Sequence, residues 1–284
     1  MPVTFLSHQA LVLPLKMRWP HRFSGLALVI GSMAPDLEFI GTMRDDWLFS
    51  HTIGAQLWFT VPMSMFLVWL ASAVVLPAVL PYVRDHPEWR LHDLAALEPP
   101  RGWRGWSSVA VSAWIGGISH VVLDGVTHGN HSGWLVPFLP FLRTPVPHPG
   151  GAVPLHDALQ LWLTILFALA TVVMWRSIAR RRLLWRWRGR EMMTLPRQRY
   201  TAGRQLLWLC LAAAVQGGIA GSVLRAGESD KLVAAGVGFG ALDCACLAVV
   251  VSALAIRRRR CARGGAQTGA TRPALSDALG AAGR

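Results

Sequence analysis

The stretch WSSVAVSAWIGGISHVVLDGV, residues 106–126, sets the class of fold. It is apolar over the roughly 20 residues that a helix needs to cross the hydrocarbon core of a bilayer. Its only ionisable residues are His120 and Asp124. On either side lie further apolar segments at 53–83, where Pro62 and Pro77 predict kinks, and at 159–175, 205–224 and 232–256. The expected fold is all-α, a multi-pass helical membrane bundle with about five spans. Composition agrees: 53% of residues are hydrophobic, 15% are charged and the mean hydropathy is +0.38, which leaves no charged coat for a water-soluble core.

The net charge of +13 raises the question of nucleic acid, but the basic residues crowd at the ends of apolar segments and form no stripe beside aromatic readers. Nucleic acid is therefore not expected as a partner; membrane lipid is. The Arg runs at 176–190 and 257–260 are expected on the cytoplasmic side, since basic residues near span ends resist translocation. Counting back, the 127–154 loop falls outside, the 84–105 connection inside and the N-terminal region outside. Lys16, Arg18, Arg22 and Arg44 oppose that last assignment, which a re-entrant arrangement of the first segments would invert.

Before residue 50 the apolar runs at 10–15 and 26–30 are too short to span and are interrupted by Pro14, Pro20 and Pro35. They predict two short helices at the membrane surface or against the bundle, the first capped by Thr4 or Ser7. No signal-peptide pattern precedes them, so no removed leader is expected. Cys210, Cys244, Cys246 and Cys261 lack paired spacing and read as buried thiols. Beyond Cys261 the Gly, Ala and Arg content predicts a disordered tail. The chain thus divides into a membrane domain over 1–175, a basic connection with two spans over 176–260, and a tail over 261–284.

Four residues apart on a helix, His120 and Asp124 share one face. An ionisable residue at membrane depth costs a few kcal/mol, about 2.5–3.5 for a central Asp on insertion scales, so it faces a partner, a cavity or a functional site. His128 and His131 follow at the mouth of the same segment, and the N-terminal half adds His8, Asp36, Glu38 and His51 at the ends of its short runs. Imidazole with carboxylate suits zinc, and also iron or manganese. Against this, a lone His is more often a packed or surface residue, and His120 with Asp124 can equally be a polar contact between helices. His21, His86, His92 and His148 read as ordinary loop residues, and Asp243 as a structural one.

The opening Met1-Pro2-Val3-Thr4-Phe5-Leu6-Ser7-His8, the run Gly31-Ser32-Met33-Ala34-Pro35-Asp36-Leu37-Glu38, Ser50-His51-Thr52, and Ser119-His120 through Asp124 to Thr127-His128 together resemble the bacterial membrane family called domain of unknown function 4184. The resemblance covers about the first 175 residues. That family is similar to inner-membrane metal-dependent hydrolases and, more distantly, to the zinc-dependent phospholipase C and P1 nuclease group, whose all-helical fold binds a zinc cluster through His and Asp. The resemblance implies His8, Asp36, His51, His120, Asp124 and His128 as ligands of a divalent metal, zinc foremost, in a multi-pass protein of the bacterial cell membrane. It also implies hydrolysis of a phosphoester or lipid-associated substrate. The distant enzymes use a later His with a Glu one turn on; here the nearest pair is His156 with Gln160, an amide in place of the carboxylate. The competing expectation is a non-enzymatic membrane protein in which the same residues form a structural metal or polar cluster, or part of an ion path.

Overall fold

The short runs before residue 40 form a helical hairpin, α1 over Thr4–Arg18 and α2 over Gly25–Gly31. This is seen in a computed structural model that describes residues 4–38, 49–148, 151–189, 208–219, 237, 241 and 244–258. The Ser24 hydroxyl accepts a hydrogen bond from the Ala27 backbone N–H and caps α2. The cap expected from Ser7 is not formed, because α1 already begins at Thr4 and Ser7 lies buried inside it. Lys16 and Arg18 occupy the last turn of α1, where cations meet the negative end of the helix dipole.

Among the described residues, three helices are long and apolar enough to cross a membrane: α3 over Gln56–Tyr82, α4 over Gly102–Thr127 and α5 over Leu155–Arg180. Within α3 the two prolines mark irregular turns. Wide π-type turns occupy Gln56–Thr60 and Leu70–Val75, just ahead of Pro62 and Pro77. They hold the carbonyls four residues back that a proline ring would otherwise strike and cannot bond. α5 turns Leu161, Ile165, Leu166, Leu169 and Val173 outward, a continuous exposed apolar stripe suited to lipid.

Of the five expected spans, three are seen among the described residues, and the fourth and fifth lie largely outside them. Of the fourth and fifth, only a short apolar helix at Trp208–Ile219 and helical residues 244–258 are described. Asp243 and the tail at 261–284 lie outside the described residues. The all-α expectation fails locally. The 127–154 loop carries a two-stranded antiparallel ribbon, β1 (Pro145–His148) with β2 (Gly151–Pro154), pairing Val146 with Val153. Its prolines sit at ribbon positions where a missing donor costs little.

α4 is the central helix. α2 lies against it backbone to backbone: a Cβ built on Gly31 would stand 2.3 Å from the Ala113 carbonyl oxygen, and one on Gly116 2.6 Å from that of Leu28. Small residues of this kind let helices approach closely in a membrane, where packing and not water exclusion drives association. α1 lies along α5, where Thr171 Oγ1 donates to the Leu6 carbonyl at 2.9 Å and Trp175 Nε1 to Gln9 Oε1 at 3.1 Å.

The bundle has two chemically different ends. At one, the 84–105 connection meets the Arg run: Glu88 pairs with Arg176 and Arg180, and Asp93 with Arg182 at 2.6 Å. Arg188, at the end of α6 (Leu183–Arg188), lies 3.5 Å from Glu98. The two segments expected on one side of the membrane thus share one end. Lys16 lies there too, 5.1 Å from the Trp187 ring, while His8 at the other end of α1 faces Asp124. The hairpin therefore runs from one end to the other and back, which separates the N-terminal basic residues from the N-terminal His and Asp.

Candidate metal centre

At the end opposite the Arg run, four elements converge. α1 brings His8, the turn after α2 brings Asp36, the short turn Phe49–His51 brings His51, and the last turns of α4 bring His120 and Asp124. His120 Nε2 lies 3.4 Å from Asp36 Oδ1 and 3.2 Å from Asp124 Oδ2. His51 Nε2 lies 3.4 Å from each of the same two oxygens and 3.3 Å from His120 Nε2. His120 is fully buried, His8, His51 and Asp124 are nearly so, and the Asp36 side chain keeps 16% of its surface.

The far nitrogens set the tautomers. His120 Nδ1 lies 2.8 Å from the Ser32 carbonyl, which can only accept, so this nitrogen carries the proton and Nε2 presents a lone pair. His51 Nδ1 lies 3.1 Å from Ser50 Oγ, whose own proton goes to the Pro35 carbonyl at 2.7 Å. His51 Nδ1 is again the donor. Both Nε2 atoms therefore aim at the point where two carboxylates also aim, and that point needs positive charge.

A cation fits it. Ligand atoms at zinc-like bond lengths of about 2.0–2.1 Å in a tetrahedron stand about 3.3–3.4 Å apart, and the five separations above fall between 3.2 and 3.4 Å. The four ligand atoms all lie within 4.8 Å of one another. Without a cation the demand falls on protons. Burial pulls the His51 imidazole down, but hydrogen bonds to Asp124 and Asp36 outweigh it and hold the group above its usual value. Burial likewise pushes the Asp36 carboxyl up, yet the His120 charge and the two imidazole hydrogen bonds keep it well below the carboxylate range.

His8 stacks on His120 with ring centroids 3.9 Å apart, its Nε2 3.6 Å from Asp124 Oδ1. Burial and the neighbouring His120 pull this imidazole down to about 3, so it stays neutral. Its Nδ1 is buried without a hydrogen-bond partner among the described residues.

The sequence matches a known family, described as Domain of unknown function (DUF4184), over residues 1–255. The chain belongs to this family. The DUF4184 match passes well beyond residue 175, so the C-terminal helices fall within the family's extent, contrary to the narrower expectation. No curated protein and no solved structure matches the chain.

Of the residues that the DUF4184 resemblance implied, Asp36, His51, His120 and Asp124 form the inner cluster and His8 lies against it. His128 stands at the rim with a side chain 24% exposed. Its Nδ1 is 3.7 Å from Asp124 Oδ1, and its Nε2 accepts a hydrogen bond from Gln160 Nε2 at 3.0 Å. His156 turns away to Asp157 at 3.0 Å, and His131 is exposed. Sequence reasoning missed the supporting layer. Gln56 Nε2 donates to the Ser50 and Thr52 carbonyls while its Oε1 accepts from Thr60, and Glu38 accepts from the Ser50 N–H at 2.6 Å. A polar pair one turn apart, Gln56 and Thr60, at the head of an apolar span was the available signal.

Proposed function

We propose that the chain is a membrane-embedded, metal-dependent hydrolase acting on a phosphoester or lipid-associated substrate, with zinc foremost by its donor set. The observation that carries this reading is the convergence of two Nε2 lone pairs and two carboxylates, with five of their six separations at tetrahedral values. Asp36, His51, His120 and Asp124 would hold the ion. Such an ion supplies Lewis acidity toward a phosphoryl or carbonyl oxygen. Ser32 and Ser50 keep the two imidazoles in their ligating tautomers. Asp36 and His128 hold the exposed edge of the cluster, so substrate would reach it between them. Asp124 turns Oδ2 to the inner cluster and Oδ1 to His8 and His128, so these three residues would hold a second ion.

The near-complete burial of His120 and His51 favours a second reading, a closed structural centre. The test separates the two. Elemental analysis of detergent-purified protein should find at least one zinc, iron or manganese per chain, lost in His120→Ala. A panel of phosphomonoesters and phosphodiesters should then reveal a turnover that at least one ligand substitution abolishes in protein that remains folded. Absence of stoichiometric metal would overturn both readings, and bound metal with no turnover anywhere on the panel would leave the structural one.

A further inference from the structure

The basic end of the bundle contains a cavity of about 560 Å³, walled by Leu13, Leu26, Val68, Leu76, Trp175 and Ile178 among others. Ser108 of α4 lines it, and the twelve residues from there to His120 correspond to about 18 Å of helix, so the cavity is separate from the metal centre. Its volume lies within the range of small-ligand pockets. Among the described lining residues the charges are mainly cationic: Lys16, Arg101 and Arg188, with His21, stand against the carboxylate of Glu98.

Glu98 is engaged by Arg188 at 3.5 Å. Among the described residues Lys16 has no such counter-ion. Its ammonium donates to the Phe23 carbonyl at 2.9 Å and to that of Pro20, it lies against the Trp187 ring, and no carboxylate pairs with it among the described residues. Burial, followed by the like charge of Arg188, pulls it down to about 8. A half-buried ammonium beside a second cation is at a disadvantage until an anion arrives.

We infer that this cavity binds an anionic phospholipid, its phosphate held by Lys16, Arg188 and Arg101 and one acyl chain lying among the apolar walls. The lining distinguishes this ligand from a small soluble anion, for which an apolar chamber of this size has no use. α5, which gives Trp175 and Ile178 to the chamber wall, also carries the outward apolar stripe suited to lipid. Basic pockets between membrane helices at an Arg-rich end meet the leaflet in which anionic headgroups concentrate. The inference does not rest on the metal reading, since no residue is shared.

The test is native mass spectrometry of delipidated protein in nonionic detergent, offered equal amounts of phosphatidylglycerol and phosphatidylcholine with identical chains. Wild-type protein should retain one phosphatidylglycerol per chain, preferred about tenfold, as expected for one to two effective cation contacts. Lys16→Gln keeps a donor for the two carbonyls and should reduce the preference to within about threefold. Ala71→Phe fills the chamber without touching a charge and should weaken retention of both lipids, while Arg143→Gln, exposed and outside the cavity, should change neither. Ala71→Phe also serves if Lys16→Gln fails to elute as a single species. Equal retention of the two lipids by wild-type protein would overturn the inference, as would an unchanged preference in Lys16→Gln or unchanged retention in Ala71→Phe. Displacement of the lipid by an equal concentration of inorganic phosphate would also overturn it, because the head alone would then be the ligand.

Discussion

Gly116→Ala should damage the centre without touching a ligand. A Cβ at this position would stand 2.6 Å from the Leu28 carbonyl oxygen, 2.7 Å from the Ser32 nitrogen and 2.8 Å from the Gly31 carbonyl carbon, all backbone atoms of α2 or its end. Backbone cannot rotate out of the way as a side chain can. Restoring even a 3.4 Å contact requires α2 to retreat by about 0.8 Å. The hydrogen bond between His120 Nδ1 and the Ser32 carbonyl, 2.8 Å long, would then stretch to about 3.6 Å and cease to count as one. Overpacking of this kind costs about 1–3 kcal/mol, and loss of a partner that orients a ligating imidazole costs about 10–100-fold in metal affinity. Gly105→Ala, in the same helix, meets nothing closer than 3.5 Å and should gain about 0.5–1 kcal/mol from helix propensity. Melting in detergent, with zinc affinity from chelator competition, reads both effects. Gly116→Ala with unchanged melting and affinity would refute the close approach of α2 and α4 as the device that positions His120.

Three other outcomes follow from the same contacts. Ser50→Ala removes the hydroxyl that accepts from His51 Nδ1 and should lower metal affinity about 10–100-fold by chelator competition, with the folded yield retained. Asp93→Ala leaves Arg182 and the Trp185 Nε1 donor without their shared carboxylate, which is buried, and should cost about 3 kcal/mol in denaturant unfolding; Glu88→Gln, whose arginine partners are exposed, should leave unfolding unchanged in moderate salt. In delipidated protein, stability should rise between pH 8 and 10.5, because folded Lys16 loses its proton near 8 and the unfolded chain keeps it to 10.5. Arg188, Arg101, His21 and Glu98 line the same cavity and Trp187 faces the ammonium. Lys16→Met should flatten that segment of the melting curve against pH.

The spans were legible because lipid is an undemanding solvent: a run of apolar residues long enough to cross declares itself without knowledge of its neighbours, as the segment at 106–126 does within α4. The path of the first 50 residues was not. Counting spans back from the Arg runs put the N-terminal region on one side of the membrane while Lys16, Arg18 and Arg22 argued for the other, and the contradiction dissolves only when α1 is seen to run between the ends. A charge count along the chain carries no information about a helix too short to be scored as a span. The ribbon at Pro145–Pro154 was hidden for a different reason, since Gly and Pro disfavour strands in general while an exposed two-stranded edge tolerates them.

In the candidate site, residue types were readable and their chemical state was not. Spacing placed His120 and Asp124 on one face, and the N-terminal His and Asp were visible as unexplained polar groups at the ends of short runs. Nothing in the sequence says which nitrogen of His120 carries its proton. That is set by the Ser32 carbonyl, 88 positions away in the chain, and it is available only because Gly31 and Gly116 let two backbones touch. The glycines and the imidazole are therefore one device. Widening either glycine would leave every ligand residue in the sequence while turning the lone pair of His120 away from the point at which the carboxylates converge.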